Sequence, residues 1–213
     1  MSPARSNIAP HVSAIVLAGG RATRLGGMDK GWYRVGDTPL IRHTLARLAG
    51  QVDDVVISAN RSLARYQALG HRAVADTFVD YAGPLAGIAA ALPQVRHAYA
   101  LIVPVDTPKL PLDLAERLCE AMNDTTDLVV ASSPRGRQPL HCLVRGRVLD
   151  SLRLALANGE RRVMRWQDSL SMTQVAWSSD TPFLNINRDI DADQVTVAGP
   201  GETGVSPSNV RDT

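Results

Sequence analysis

A nearly unbroken apolar run, Val12 to Leu17, stops abruptly at Ala18-Gly19-Gly20. A strand that is apolar on both faces has to be covered on both faces, the situation of a central strand in a parallel sheet. The glycines indicate what lies at its end. Without a Cβ, backbone N–H groups can approach a ligand and turn toward it, and several such groups around one cavity form an anion nest. Arg21, Arg24 and Lys30 follow, with a second glycine pair at Gly26-Gly27 and an acid at Asp29. Guanidinium and ammonium groups make short charge-assisted bonds to phosphate oxygens, so the natural occupant is a polyphosphate. The stretch is not a P-loop, because Met28 and Asp29 separate Gly27 from Lys30 and no Ser or Thr follows the lysine. Nor is it the dinucleotide fingerprint G-x-G-x-x-G. A glycine-rich turn with ordinary surface cations is the plainer alternative. Two glycine pairs and three cations so near a strand end favour phosphate.

The remaining chain alternates strand and helix patterns. Strands are expected over 54–59, 72–75, 99–105, 128–132 and 140–145, and near Val175 and Leu184. Helices are expected over 61–69, 84–92, 111–122 and 148–158, and near 162–167. Residues 32–37 read as a short hairpin or an extended excursion, after which Thr38 caps a helix that has Pro39 in its first turn and runs to about Leu48. This order predicts an α/β fold: a mostly parallel, doubly wound, Rossmann-like sheet with helices on both faces. Ligands of such sheets lie beyond the carboxyl ends of the strands. That rule gathers Gly19, Gly20, Asn60, Asp76 and Asp106 along one edge, since each follows an expected strand.

A chain of 213 residues suits one such domain. The expected division is a flexible N-terminus at 1–11, one domain over 12–197, and a disordered tail at 198–213 rich in Gly, Pro, Ser and Thr. A net charge of only +2 and 4% aromatic residues argue against a nucleic-acid partner. No apolar run approaches a membrane span, and the first ten residues hold no secretory core. Cys119 and Cys142 read as incidental thiols, which suits a reducing cytoplasm. No histidine has a nucleophile or carboxylate at telling spacing, so a catalytic triad is unsupported, and His43 and His97 read as ordinary residues.

Asp106 ends the run Leu101-Ile102-Val103-Pro104-Val105 and precedes Thr107-Pro108. It can start a turn or hold Mg²⁺, which takes one or two carboxylates plus substrate phosphates. The phosphate loop expected on the same edge favours the metal. Asp76 opens a second loop that reaches a helix through Gly83-Pro84-Leu85-Ala86-Gly87, and a helix N-terminus attracts anions. Asn60 offers a donor and an acceptor to a base or ribose, or equally caps the next helix. Arg161, in Gly159-Glu160-Arg161-Arg162-Val163, reads from the residues alone as part of a solvated face.

Leu17 to Lys30 resembles the opening motif L-A-G-G-x-x-x-R-M-G-x-D-K of nucleotidyltransferases in the molybdenum cofactor guanylyltransferase family, with Leu25 in place of Met and one extra glycine-flanked position. The resemblance extends from about Ala14 to Asp189. It includes Pro104 to Pro108, the Asp76 to Gly87 loop, Gln138-Pro139-Leu140-His141, Gly159 to Val163 and Phe183-Leu184-Asn185-Ile186-Asn187. It implies a nucleotide-diphospho-sugar transferase-like fold and transfer of GMP from GTP to molybdopterin carrying molybdenum, with Mg²⁺ as cofactor and pyrophosphate released. Lys30, Asp106 and Arg24 are then the catalytic set, with Asp106 on the metal. Leu17, Ala18, Gly19, Gly20, Lys30, Ser58, Asn60, Asp76 and Asp106 contact the nucleotide. Gly27, Gly83, Gly87, Arg161, Asn185 and Asn187 contact molybdopterin. Cofactor-delivery and molybdoenzyme-maturation proteins are candidate partners. The alternatives are a sugar-1-phosphate nucleotidyltransferase, the cytidylyltransferase of the same cofactor, or a non-catalytic GTP-binding delivery subunit. Gly19-Gly20 and Asp29 speak against the cytidylyltransferase, whose motif has L-A-A-G and lacks the acid before the lysine.

Overall fold

The computed structural model describes residues 11–19, 29–76 and 83–186. Its centre is β1 (Val12–Leu17), every residue of which is buried. β1 pairs in parallel with β4 (Asp54–Ser58) on one side and β6 (Tyr99–Pro104) on the other. β5 (Arg72–Val74) extends the parallel set beyond β4. On the far side, β8 (Gly136–Arg145) runs antiparallel to β6 and to β7 (Leu128–Ser133), and β9 (Met172–Ala176) pairs in parallel with β7. The resulting seven-stranded sheet has the order β5-β4-β1-β6-β8-β7-β9, with β8 alone reversed. A two-stranded ribbon, β2 (Arg34–Val35) with β3 (Thr38–Pro39), is the expected hairpin.

Alternation along each strand sends side chains into two separate hydrophobic layers. Ala14 and Val16 of β1, with Leu101 and Val103 of β6, face one layer. There they meet α1 (Leu40–Leu48), α2 (Leu63–Gln67) and α4 (Leu114–Glu120) through Leu40, Ile41, Leu48, Tyr66, Leu114 and Leu118. Ile15, Leu17, Ala100 and Ile102 face the other layer. That layer is closed by α3 (Pro84–Ala91), α5 (Leu149–Ala157) and α6 (Val163–Gln167), through Leu85, Ile88, Leu152, Leu156 and Trp166. Each fully buried Leu or Ile contributes about 1.5–3 kcal/mol. Helices cover both faces, as the strand–helix alternation predicts.

Three local expectations are corrected. The first helix begins at Leu40, with Pro39 as an extended N-cap; Thr38 caps nothing, because it pairs with Val35 in the ribbon. β8 starts at Gly136 rather than 140, and Pro139 is accommodated where the β7–β8 register shifts between Val130 and Ser132. Near Leu184 a 3₁₀ turn, Thr181–Phe183, replaces the expected strand. The expected tail at 198–213 lies outside the described residues, as does all of the expected N-terminal segment except His11. Among the described residues no helix is long and apolar enough to cross a membrane. Cys119 and Cys142 are free thiols, and burial pushes them up to about 11 and about 12.

Helix α3 approaches the sheet closely because Gly87 has no side chain. A Cβ there would lie 2.6 Å from Ser58 Oγ and 3.3 Å from Leu17 Cδ2. Gly87→Ala is expected to cost about 1–3 kcal/mol in urea unfolding. Adding Ser58→Ala, which removes the obstructing oxygen, is expected to recover most of that loss.

Candidate active site

The carboxyl ends of β5, β4, β1 and β6 finish level. Leu17 lies opposite both Ser58 and Pro104, and Ser58 lies opposite Val74. Gly19, Asn60, Asp76 and Asp106 therefore leave one edge of four neighbouring strands. Past β1 the backbone bends toward β4: the Ala18 and Gly19 N–H groups both donate to the Ser58 carbonyl, at 2.8 and 3.0 Å. Beyond β6, the Val105 N–H donates to the Leu17 carbonyl at 3.1 Å.

Lys30 and Asp106, 76 residues apart in sequence, meet at this edge, where Lys30 Nζ donates to Asp106 Oδ2 at 2.5 Å. Their side chains are 26% and 15% exposed, so the pair borders solvent and a charged ligand can reach it. The other carboxylate oxygen, Asp106 Oδ1, is buried and has no hydrogen-bond partner among the described residues. Such an acceptor is costly to leave unmatched.

Each member of the pair is held from beneath. Lys30 opens a 3₁₀ turn, Lys30–Trp32, whose N-cap is Asp29. Asp29 Oδ1 accepts from the Gly31 N–H at 3.2 Å and from the Tyr66 hydroxyl at 2.6 Å. Tyr66 is fully buried, its ring 5.2 Å from that of Trp32, and Arg65 lies over Trp32 at 3.9 Å. Gly31 permits this contact, since a Cβ there would run into the Tyr66 phenol. Burial first, and the bond to Asp29 second, raise the Tyr66 pKa and keep the phenol a donor.

On the other side, the Thr107 hydroxyl donates to the Pro104 carbonyl at 3.3 Å and lies 3.1 Å from His141 Nε2. The Nε2–H tautomer satisfies both contacts. His141 is 3% exposed and meets Phe183 edge-on, with ring centroids 5.0 Å apart. Burial drives its pKa down to about 3, so it stays a neutral prop under the Asp106 turn. The Asp106 carbonyl accepts from the Ile186 N–H at 2.8 Å, which brings exposed Asn185 alongside.

Elsewhere on the edge, Asn60 and Asp76 form a reciprocal pair. Asn60 Nδ2 donates to Asp76 Oδ2 at 2.7 Å, and the Asp76 N–H donates to Asn60 Oδ1 at 3.0 Å. Asn60 is not the helix cap; Ser62 occupies that position. Gly83 is the N-cap of α3 with φ 74°, a left-handed value that glycine adopts without strain. A Cβ on it would lie 3.9 Å from the Arg161 carbonyl, so the segments expected on the acceptor side adjoin. The Glu160 carboxylate fixes that turn by accepting from the Arg161 and Arg162 N–H groups, both at 2.9 Å.

Ser58 and Gly87 are placed differently from the rest. Both are buried, Ser58 pointing from β4 into α3, so the Ser58 carbonyl rather than its hydroxyl serves the loop. Gly20, Arg24, Gly27 and Asn187 lie outside the described residues. Tyr66 escaped the sequence reading because nothing in Leu63-Ala64-Arg65-Tyr66-Gln67 announces a bond to Asp29. His141 was visible only within its motif.

A mostly parallel sheet with a lysine and an aspartate converging at the mouth of its central strands suits a phosphorylated ligand and its divalent cation. The chain belongs to the MobA-like NTP transferase domain family, whose model matches residues 14–172. It is 42% identical over 195 residues to a molybdenum cofactor guanylyltransferase from Burkholderia vietnamiensis, covering 85% of this chain and 94% of that protein. Among solved structures it is similar to molybdopterin-guanine dinucleotide biosynthesis protein A from Archaeoglobus fulgidus, with TM-score 0.70, 20% identity, and 85% and 95% coverage. A Mycobacterium tuberculosis protein solved as a manganese complex matches with TM-score 0.63 and 18% identity, covering 89% of this chain and 100% of that one.

Tyr66→Phe keeps the ring but leaves Asp29 short of a donor. It is expected to cost about 1–3 kcal/mol in denaturant unfolding. His141 generates a pH dependence: its folded pKa of about 3 lies below the ordinary 6.5, so the unfolded chain binds the extra proton between those values. Stability is fully present above about pH 6.5 and falls with acidification, by at most about 1.4 kcal/mol per pH unit from this residue. His141→Gln should flatten that slope in unfolding curves measured between pH 4 and 7.

Proposed function

We propose that the chain transfers GMP from GTP to the terminal phosphate of molybdopterin carrying molybdenum, releasing pyrophosphate. The observation that carries this reading is the Lys30–Asp106 pair at the carboxyl edge of a MobA-like NTP transferase domain. The 42% identity to a named guanylyltransferase supports the choice of nucleotide and acceptor.

In the reaction an oxygen of the acceptor phosphate bonds to the α-phosphorus of GTP, the bond from that phosphorus to the β-phosphate oxygen breaks, and pyrophosphate departs with the electron pair. The acceptor is already anionic, so no strong base is required. Catalysis then rests on positioning and charge neutralisation. Lys30 supplies a fixed cation, and its turn is held by Asp29 and Tyr66. Asp106 fits a hard divalent cation, because its buried Oδ1 is an oxygen donor with no described partner. We assign Mg²⁺ to it; when bound, the ion supplies neutralisation of phosphate charge. Arg24 is assigned with Lys30 to the triphosphate, and Leu17-Ala18-Gly19, whose turn is held by the Ser58 carbonyl, with the Asn60–Asp76 pair to the nucleoside side. The junction of Gly83 and Arg161, with Gly27, Asn185 and Asn187, is assigned to molybdopterin. Cytoplasmic action beside delivery and maturation proteins fits this role.

Asp106→Asn keeps shape and removes charge. It is expected to lower pyrophosphate release by on the order of a hundredfold or more while circular dichroism is unchanged. Lys30→Ala is expected to weaken both GTP affinity and turnover. Substantial turnover in Asp106→Asn would remove the metal assignment, and unchanged GTP affinity in Lys30→Ala would remove the phosphate role.

A further inference from the structure

The three central strands that finish level at the active edge also begin level at the opposite edge. Val12 lies opposite Tyr99, and Ser13 opposite Asp54. The segments leading into β1, β4 and β6 therefore gather, and they bring together His11 and Asp53, each one residue ahead of its strand, and His97, two ahead of Tyr99. His11 Nδ1 lies 2.5 Å from Asp53 Oδ2, and His97 Nε2 lies 2.8 Å from Asp53 Oδ1. The two imidazoles stack with centroids 5.2 Å apart. One ligand atom from each of the three residues lies within 4.8 Å of the others.

The backbone carrying these groups is tied down. The Asp53 N–H donates to the Val12 carbonyl at 3.3 Å. The Arg96 and His97 N–H groups donate to Ser13 Oγ at 3.1 and 3.2 Å, and Ser13 donates to Asp54 Oδ2 at 2.7 Å. The charges nearby are largely matched. Asp54 pairs with Arg72 at 2.5 Å and with Arg96 at 3.7 Å, which leaves the Asp53 carboxylate to the two imidazoles.

The geometry points to a second cation site at this edge, formed by His11, Asp53 and His97 and taking a borderline-soft divalent transition ion such as Zn²⁺ or Co²⁺. Imidazole nitrogens favour such ions, whereas Mg²⁺ selects oxygen donors. Tetrahedral coordination needs nitrogen and oxygen at about 2.0–2.2 Å from the metal. Closing the set falls to His11, whose side chain is 74% exposed and can turn, while His97 at 24% is the fixed member. Three protein ligands leave a coordination position to water. An ion here clamps the starts of three core strands and takes no part in the chemistry at Asp106, at the opposite ends of those strands.

The test uses the full chain without a histidine tag: Zn²⁺ calorimetry, Co²⁺ visible absorption and thermal unfolding. The site predicts a single Zn²⁺ bound, a raised Tm, and no competition from excess Mg²⁺. His97→Ala and His11→Ala should each weaken Zn²⁺ by more than about tenfold and erase the Tm shift. Asp106→Ala should bind Zn²⁺ as the parent does. His11 is exposed, so its variant keeps the fold whatever becomes of His97→Ala. Absence of Zn²⁺ binding, affinity unchanged in His11→Ala, or affinity lost in Asp106→Ala would each overturn the assignment.

Discussion

The register of β1 against its two parallel neighbours is the constraint on which everything else depends. Leu17 is opposite Ser58 and Pro104 at once, so three chain segments leave the sheet at the same height. Only then can Ser58 lend its carbonyl to the turn after β1, and only then does Lys30 find Asp106. A parallel register is enforced by the burial of both faces: slipping β1 by one residue would exchange Ala14 and Val16 for Ile15 and Leu17 in layers packed to fit them.

The Lys30–Asp106 contact is better understood as stored function than as stability. Two partly buried charges lose hydration when they pair, and the attraction between them roughly repays the loss. What the fold invests instead is the scaffolding around them. Tyr66 and Gly31 fix Asp29 and so the turn bearing the lysine; His141 and Phe183 support the turn bearing the aspartate. Both props are neutral and buried, so the charges they hold can be spent on a ligand.

The sequence made the architecture readable because its strands are apolar runs bounded by glycine, asparagine or aspartate. Strand ends alone place Gly19, Asn60, Asp76 and Asp106 on one edge. The errors were local. Pro39 was read as a first-turn residue when it is the cap, and Pro139 hid the first half of β8, because proline disfavours a strand in general yet fits a register shift. Side-chain direction was less legible than position. Ser58 sits at the right strand end but points inward, a matter of which way the pleat falls at the last residue. The Tyr66–Asp29 bond joins residues 37 apart without a motif, and the His11–Asp53–His97 cluster forms from strand starts that nothing in the local sequence relates.

The central claim is that this edge moves a guanylyl group. The most direct measurement is pyrophosphate release with Mg²⁺ and molybdopterin, comparing GTP, CTP and ATP. The account predicts release with GTP that depends on the acceptor, with little from the other two nucleotides. A preference for CTP, or tight GTP binding with no pyrophosphate under any divalent ion, would contradict it.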